Sequence, residues 1–98
     1  MTENTLRIID VIKAIPPGKV LSYRDVAMAA GFPNGARQTV WVLHSLSQKF
    51  DLPWHRVIRS DGRLGLKGEG KDLQMSLLRS EGVDVSKTGW VDMRRYGC

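Results

Sequence analysis

The sequence predicts a mainly α-helical single domain, a winged helix-turn-helix with a short β wing, and three observations carry that expectation. Apolar residues recur at helical spacing in several stretches, each bounded by a proline or glycine stop. Two of these stretches are separated only by Gly31 and the turn signal Pro33-Asn34-Gly35. A β-branched pair, Val57-Ile58, then precedes Ser60-Asp61-Gly62 and the run Arg63-Leu64-Gly65-Leu66, the pattern of a small hairpin.

Thr5 to Ile15 reads as an amphipathic helix, because Ile8, Ile9, Ile12 and Ile15 share a face while Arg7, Asp10 and Lys13 fall elsewhere. Pro16-Pro17-Gly18 stops it, and Lys19-Val20-Leu21 is a short link. Ser22 is the expected N-cap of the second helix, with the Asp25 carboxylate accepting at exposed amides, and Gly31 ends it. In the third helix Ala36, Val40, Leu43 and Leu46 are expected to face inward. Arg37, Trp41, His44 and Gln48 then form an outward polar and aromatic face, which marks this as the recognition helix. Residues 48–52 read as a loop. A last helix spans Lys71 to Glu81 with Leu73, Leu77 and Leu78 inward and Gly82 as its C-terminal cap. Val83, Val85, Trp90 and Val91 suggest that the remainder packs back on the domain, ending in a mobile tail.

Ninety-eight residues that are 42% hydrophobic suffice for one core and one domain. A net charge of +5 favours a polyanionic partner. The single cysteine, Cys98, excludes an intrachain disulfide and a cysteine-based metal cluster, so no metal or cofactor is expected. No basic start followed by a long apolar run is present and no stretch has membrane-spanning length, so a cytoplasmic, non-membrane protein is expected. Lys67-Gly68-Glu69-Gly70 is glycine-rich but lacks the ending and spacing of a phosphate-binding loop, which argues against a nucleotide site. Its flexibility suits a pocket wall instead.

The most informative stretch is Pro53-Trp54-His55-Arg56-Val57, an aromatic beside a titratable ring and a fixed cation. It accompanies Ile15-Pro16-Pro17-Gly18-Lys19-Val20, Ser22-Tyr23, Gly35-Ala36-Arg37, Leu77-Leu78 and Glu81-Gly82 in one order. Together these resemble the C-terminal domain of O6-alkylguanine-DNA alkyltransferases, with Trp54 where those enzymes carry the nucleophilic cysteine. The Pro-Trp-His-Arg version resembles the alkyltransferase-like proteins. An indole has no atom comparable to a thiolate, so the transfer reaction is expected to be lost and the chain to be no enzyme.

The resemblance implies an alkyltransferase C-terminal-domain-like fold placed against the DNA minor groove, and a target nucleotide rotated out of the stack, which costs a few kcal/mol. It implies that Tyr23 crowds the phosphate beside the target and that Arg37 enters the vacated stack. With them Gly35, Ala36, Gln38, Trp41 and His44 would form the DNA-binding surface. Pro53, Trp54, His55, Arg56, Lys67 and Gly68 would form the lesion pocket, Trp54 as its floor and Lys67 as a cation over the base. His55 has no thiol to deprotonate and reads as structural, and Arg56 would anchor the pocket, with Glu81 as a candidate partner. The implied partners are double-stranded DNA carrying O6-alkylguanine and the damage-recognition proteins of nucleotide excision repair, met by a monomer. Two departures affect docking. Val40-Trp41 stands where transferases often have a glycine, and Leu46-Ser47 replaces a frequent Asn-Pro. Charge and helix pattern alone would also fit a sequence-reading regulator, which leaves the Pro53 motif unexplained. Residual transfer to Cys98 or a histidine would require the tail to fold over the pocket.

Overall fold

The computed structural model describes residues 1–98, all of the chain. Its first helix, α1, spans Glu3–Lys13 and starts two residues before the expected position. The Thr2 hydroxyl accepts from the Thr5 amide and caps it, and Thr5, Ile8, Ile9 and Ile12 are buried along one face. Strand β1, Leu21–Ser22, follows the Pro16-Pro17-Gly18 stop, and helix α2 spans Tyr23–Ala29. Ser22 is the cap: its Oγ accepts from the Asp25 backbone amide at 2.9 Å, while the Asp25 side chain has no return bond.

Helix α3, Ala36–Phe50, is longer than expected. Residues 48–50, read as loop, remain helical because Leu46-Ser47 puts no proline in the turn, and Ser47 Oγ donates back to the Leu43 carbonyl. Asp51, at φ 50°, ends the helix in the left-handed conformation. The turn between α2 and α3 is tight. Phe32 N–H donates to Ala27 O and Gly35 N–H to Phe32 O, and a Cβ on Gly35 would stand 2.9 Å from the Phe32 Cβ. Only glycine fits there. The inward face of α3 is Thr39 and Val42, with Leu43, Leu46 and Phe50 packed alongside, whereas Val40 is exposed.

After a single 3-10 turn at Trp54–Arg56, strand β2, Val57–Ile58, pairs in parallel with β1, Leu21 against Val57 and Ser22 against Ile58. This two-stranded parallel sheet replaces the expected hairpin wing. Both β2 side chains are buried, so the strand belongs between core layers, and the turn that follows is closed by the Arg59 N–H to Arg63 O and Gly62 N–H to Arg59 O bonds without forming a second strand. Arg63 instead bridges to Trp90.

Helix α4 spans Gly68–Ser80, so the glycine-rich stretch is its first turn and not a free loop. Gln74 and Leu78 are buried, while Leu73 is 52% exposed, a shift of one residue in the inward face. The tail is anchored: Val83, Val85, Val91 and Tyr96 are buried, helix α5 covers Met93–Tyr96, and the Cys98 amide donates to Val20 O. Trp90 is largely exposed, but its indole N–H reaches Asp61 O.

Two apolar cores result. One joins α1, α2 and α3 with Leu52 and Val57, and the other joins Ile58, Leu64 and Leu78 with the C-terminal segment. Adjacent residues of β2 enter different cores, so the strand fixes the α1–α3 unit against α4. No helix is long and apolar enough to cross a membrane.

Candidate nucleic-acid interface

The register of β1 against β2 builds the site. Tyr23 follows Ser22, and Arg59 follows its partner Ile58, so the phenol stands near the Arg59 guanidinium. Burial pushes the Tyr23 hydroxyl above its usual pKa, with Arg59 drawing it partly back, so the phenol stays protonated at neutral pH. Tyr23 opens onto a pocket of about 270 Å³ whose lining also includes Val40, Leu43, His44 and Ser47 from α3, Trp54 and Val57 from the motif segment, Leu66, and Gln74 from α4. Six of these nine residues are hydrophobic, so the pocket offers mostly apolar walls, two of them aromatic, and few polar atoms. That suits a planar ring, and the volume lies near the lower end of ligand pockets, roughly 300 to 1,000 Å³.

The N-terminus of α3 stands at the head of the same helix. Gly35 gives no side-chain cap and no acidic residue occupies the first turn, so the free amides there are available to an anion. Arg37 lies in this turn, exposed and outside every ion pair of the protein. Trp41, 54% exposed, and the exposed His44 and Gln48 continue the face, with Gln38 half-buried at its side. Seven residues expected on this surface, Tyr23, Gly35, Ala36, Arg37, Gln38, Trp41 and His44, therefore lie on α2, α3 and the turn between them.

The six residues expected in the pocket are divided. Only Trp54 lines it. Pro53, His55 and Arg56 line a separate open cleft of about 530 Å³ with Lys13, Phe50, Asp51 and Leu52, and Trp54 borders both spaces. The reason is Glu81, whose carboxylate draws His55 and Arg56 away. His55 Nε2 lies 2.8 Å from Glu81 Oε2, and Arg56 donates to Glu81 from Nη2 at 2.7 Å and from Nε at 3.0 Å. The Gly18 amide donates to the same carboxylate, and Arg56 Nη1 donates to Ile15 O, which ties α1 and its proline stop to the motif. Burial alone would raise the Glu81 pKa. The bonds from Arg56, His55 and Gly18 outweigh that and hold it at about 2, down from 4.5.

Lys67 and Gly68 also stand outside the lining, exposed at the start of α4 and directly after the lining residue Leu66 in the chain. Conversely, Val40, Leu43, Ser47, Val57, Leu66 and Gln74 line the pocket without having been singled out for it. Helical spacing links Val40, Leu43, His44 and Ser47 as one stripe, a signal present in the sequence. Gln74 gave none, because a polar residue on an amphipathic helix reads as solvated. No group of three or more metal-ligating side chains converges anywhere in the chain.

Residues 3–83 match the family described as the DNA-binding domain of 6-O-methylguanine DNA methyltransferase. The chain is 41% identical over 96 residues to a "DNA base-flipping protein" of Vibrio parahaemolyticus, covering 98% of this chain and 96% of that one. It is 34% identical over 90 residues to alkyltransferase-like protein 1 of Schizosaccharomyces pombe, covering 90% and 83%. The crystal structure of that yeast's Atl1 in complex with damaged DNA containing O6-carboxymethylguanine superposes with a TM-score of 0.88 at 31% identity, over all of this chain and 96% of the other. The chain is thus an alkyltransferase-like member of the family of the 6-O-methylguanine DNA methyltransferase DNA-binding domain.

Proposed function

We propose that this protein is a non-enzymatic sensor of O6-alkylguanine in duplex DNA, which rotates the damaged nucleotide into the pocket beside Trp54 and marks it for nucleotide excision repair. The observation that carries the reading is the mostly apolar pocket between the recognition helix and Trp54, reached past Tyr23 and close to an uncapped helix N-terminus. In this reading the α3 amides and neighbouring cations hold the backbone phosphates that border the minor groove. Tyr23 presses the backbone beside the target, Arg37 fills the gap in the stack, and the extruded ring lies against Trp54, Leu43 and Val57 with Lys67 at the rim. Contact with the indole and aliphatic walls favours an alkylated edge over a hydrated one. The names of the relatives, one for base flipping and one for an alkyltransferase-like protein, support the same reading.

The chain has no thiol beside His55, and His55 is committed to Glu81, so neither supplies an alkyl acceptor. A sensor that holds a lesion without removing it needs a repair system to take it over, and we assign that role to excision repair, with the sensor acting as a monomer in the cytoplasm. The test is a duplex carrying O6-methylguanine next to a fluorescent adenine analogue. Protein addition should raise the fluorescence as the stack opens, and intact mass should afterwards find protein and DNA unchanged. A methyl-sized gain on the protein would overturn the non-enzymatic reading.

Gly65 offers a second check. A Cβ there would press on the Tyr23 hydroxyl and come within 3.2 Å of Cε2, so Gly65→Ala must displace the ring. Because the far end of one side chain can yield, stability should change by less than about 1 kcal/mol, while lesion affinity falls roughly fivefold. Unchanged affinity in fluorescence titration would remove Tyr23 from the pocket mouth.

A further inference from the structure

The C-terminal segment carries a pocket of its own, of about 340 Å³, whose lining includes Asp84, Ser86, Trp90, Asp92, Arg95 and Tyr96. Every lining residue lies beyond residue 83, where the match to the transferase DNA-binding domain ends, and none comes from α2, α3 or the motif segment. The Atl1 superposition, by contrast, covers all of this chain. The pocket therefore belongs to what the chain has in common with an alkyltransferase-like relative outside that domain.

Trp90 is held in place while 45% exposed. Its indole N–H donates to Asp61 O at 3.1 Å, its backbone N–H donates to Ser86 Oγ at 2.9 Å, and a Cβ on Gly62 would stand 2.8 Å from its Nε1. With the N–H spent, the ring offers a ligand its π surface. Asp92 Oδ1 accepts from the Arg94 amide and caps α5, and this carboxylate enters no ion pair. Asp84 is exposed and pairs only with Arg95, at 3.2 Å, whose guanidinium stands 5.1 Å from the centroid of the Tyr96 ring. Two carboxylates against one guanidinium make this lining acidic on a chain of net charge +5.

Such a lining repels phosphate and attracts a cation. Arginine fits it best, because a planar guanidinium stacks on an indole while its N–H fork pairs with a carboxylate. Arg95, Asp84 and Tyr96 already make that arrangement within the chain. We propose that this pocket is the docking site for an arginine side chain of a partner protein, its guanidinium over Trp90 and paired with Asp92. This rests on the handover reading above and gives it a surface. Val85 and Tyr96 belong to the second apolar core and the DNA-facing helices α2 and α3 to the first, so the two faces can be occupied together.

The experiment is a nitrogen–proton NMR titration of the whole chain with the tripeptide Gly-Arg-Gly, blocked at both ends, read at the Trp90 indole cross-peak. The same peptide with citrulline keeps the planar group and removes its charge. The arginine peptide should shift the peak saturably and the citrulline peptide should bind at least about tenfold more weakly. Asp92→Asn, which keeps an equally good helix cap, should lower the arginine peptide to the level of citrulline. Equal shifts with the two peptides, or no shift with either, would overturn the proposal, and that comparison needs no variant to fold. So would a folded Asp92→Asn that binds the arginine peptide unchanged, or a peak that moves with protein concentration alone, which would make a second copy the occupant. A duplex carrying O6-methylguanine is added last: the peptide should stay bound, and its release would put the pocket on the DNA surface and overturn the proposal. The peptide titration contains no DNA, so its failure leaves lesion preference standing, and that preference fails only in the duplex comparison.

Discussion

Replacing Arg37 with alanine should weaken binding to an O6-methylguanine duplex roughly 10- to 100-fold, the range expected for losing hydrogen bonds from a charged group. The side chain is exposed and outside every ion pair, so its removal should alter folding stability by less than about 0.5 kcal/mol. The loss therefore belongs to binding. Arg37→Lys separates charge from shape: an ammonium keeps the attraction to phosphate but cannot stack and donate in one plane. Lysine should restore affinity for unmodified DNA and leave most of the lesion preference missing. A uniform loss on modified and unmodified duplexes in Arg37→Ala, fully restored by lysine, would reduce Arg37 to a phosphate contact.

Glu81→Gln should be the most destabilising polar substitution, costing about 3 to 5 kcal/mol at pH 7, because it leaves the Arg56 guanidinium buried without its counter-charge. The carboxylate is only 15% exposed and joins the end of α4 to two other segments, the 3-10 turn through His55 and Arg56 and the proline stop through Gly18 and, by way of Arg56, Ile15. Its folded pKa of about 2 lies below the 4.5 of the free group, so the stabilisation is fully present above pH 4.5 and is lost as the pH falls toward 2. That shift is worth up to about 3 kcal/mol. Denaturant unfolding should show the wild-type protein losing stability across this window while Glu81→Gln stays nearly flat, the two converging near pH 2. A parallel decline in both would mean that other carboxylates govern acid unfolding.

The helices were legible because their signals are local: the Ile8, Ile9 and Ile12 stripe, the Ser22 cap and the Pro16-Pro17-Gly18 stop each act within a few residues. The parallel pairing of Leu21-Ser22 with Val57-Ile58 was not, since it joins segments 36 positions apart in the chain and two-residue strands carry no alternation to read. The extent of α3 turned on residues that the resemblance marked as departures: without a proline at 46–47, the helix continues to Phe50. The pocket was half legible. Motif position identified Trp54, and the same logic placed His55 and Arg56 beside it. Adjacent residues of a 3-10 turn point in different directions, however, and the anchor that fixes them, Glu81, lies 25 residues further on. Gln74 was invisible for a related reason, since its burial comes from α4 packing under the motif segment and from no property of its neighbours.

The measurement that tests the central claim most directly is the affinity of this protein, at one stated salt concentration, for two short duplexes identical except for a single O6-methylguanine. The account predicts that the modified duplex binds at least about tenfold more tightly, since the damaged nucleotide is easier to extrude and meets an apolar wall suited to its alkyl group. Equal affinity for the two duplexes would contradict it, leaving a basic helix-turn-helix domain that holds DNA without reading damage.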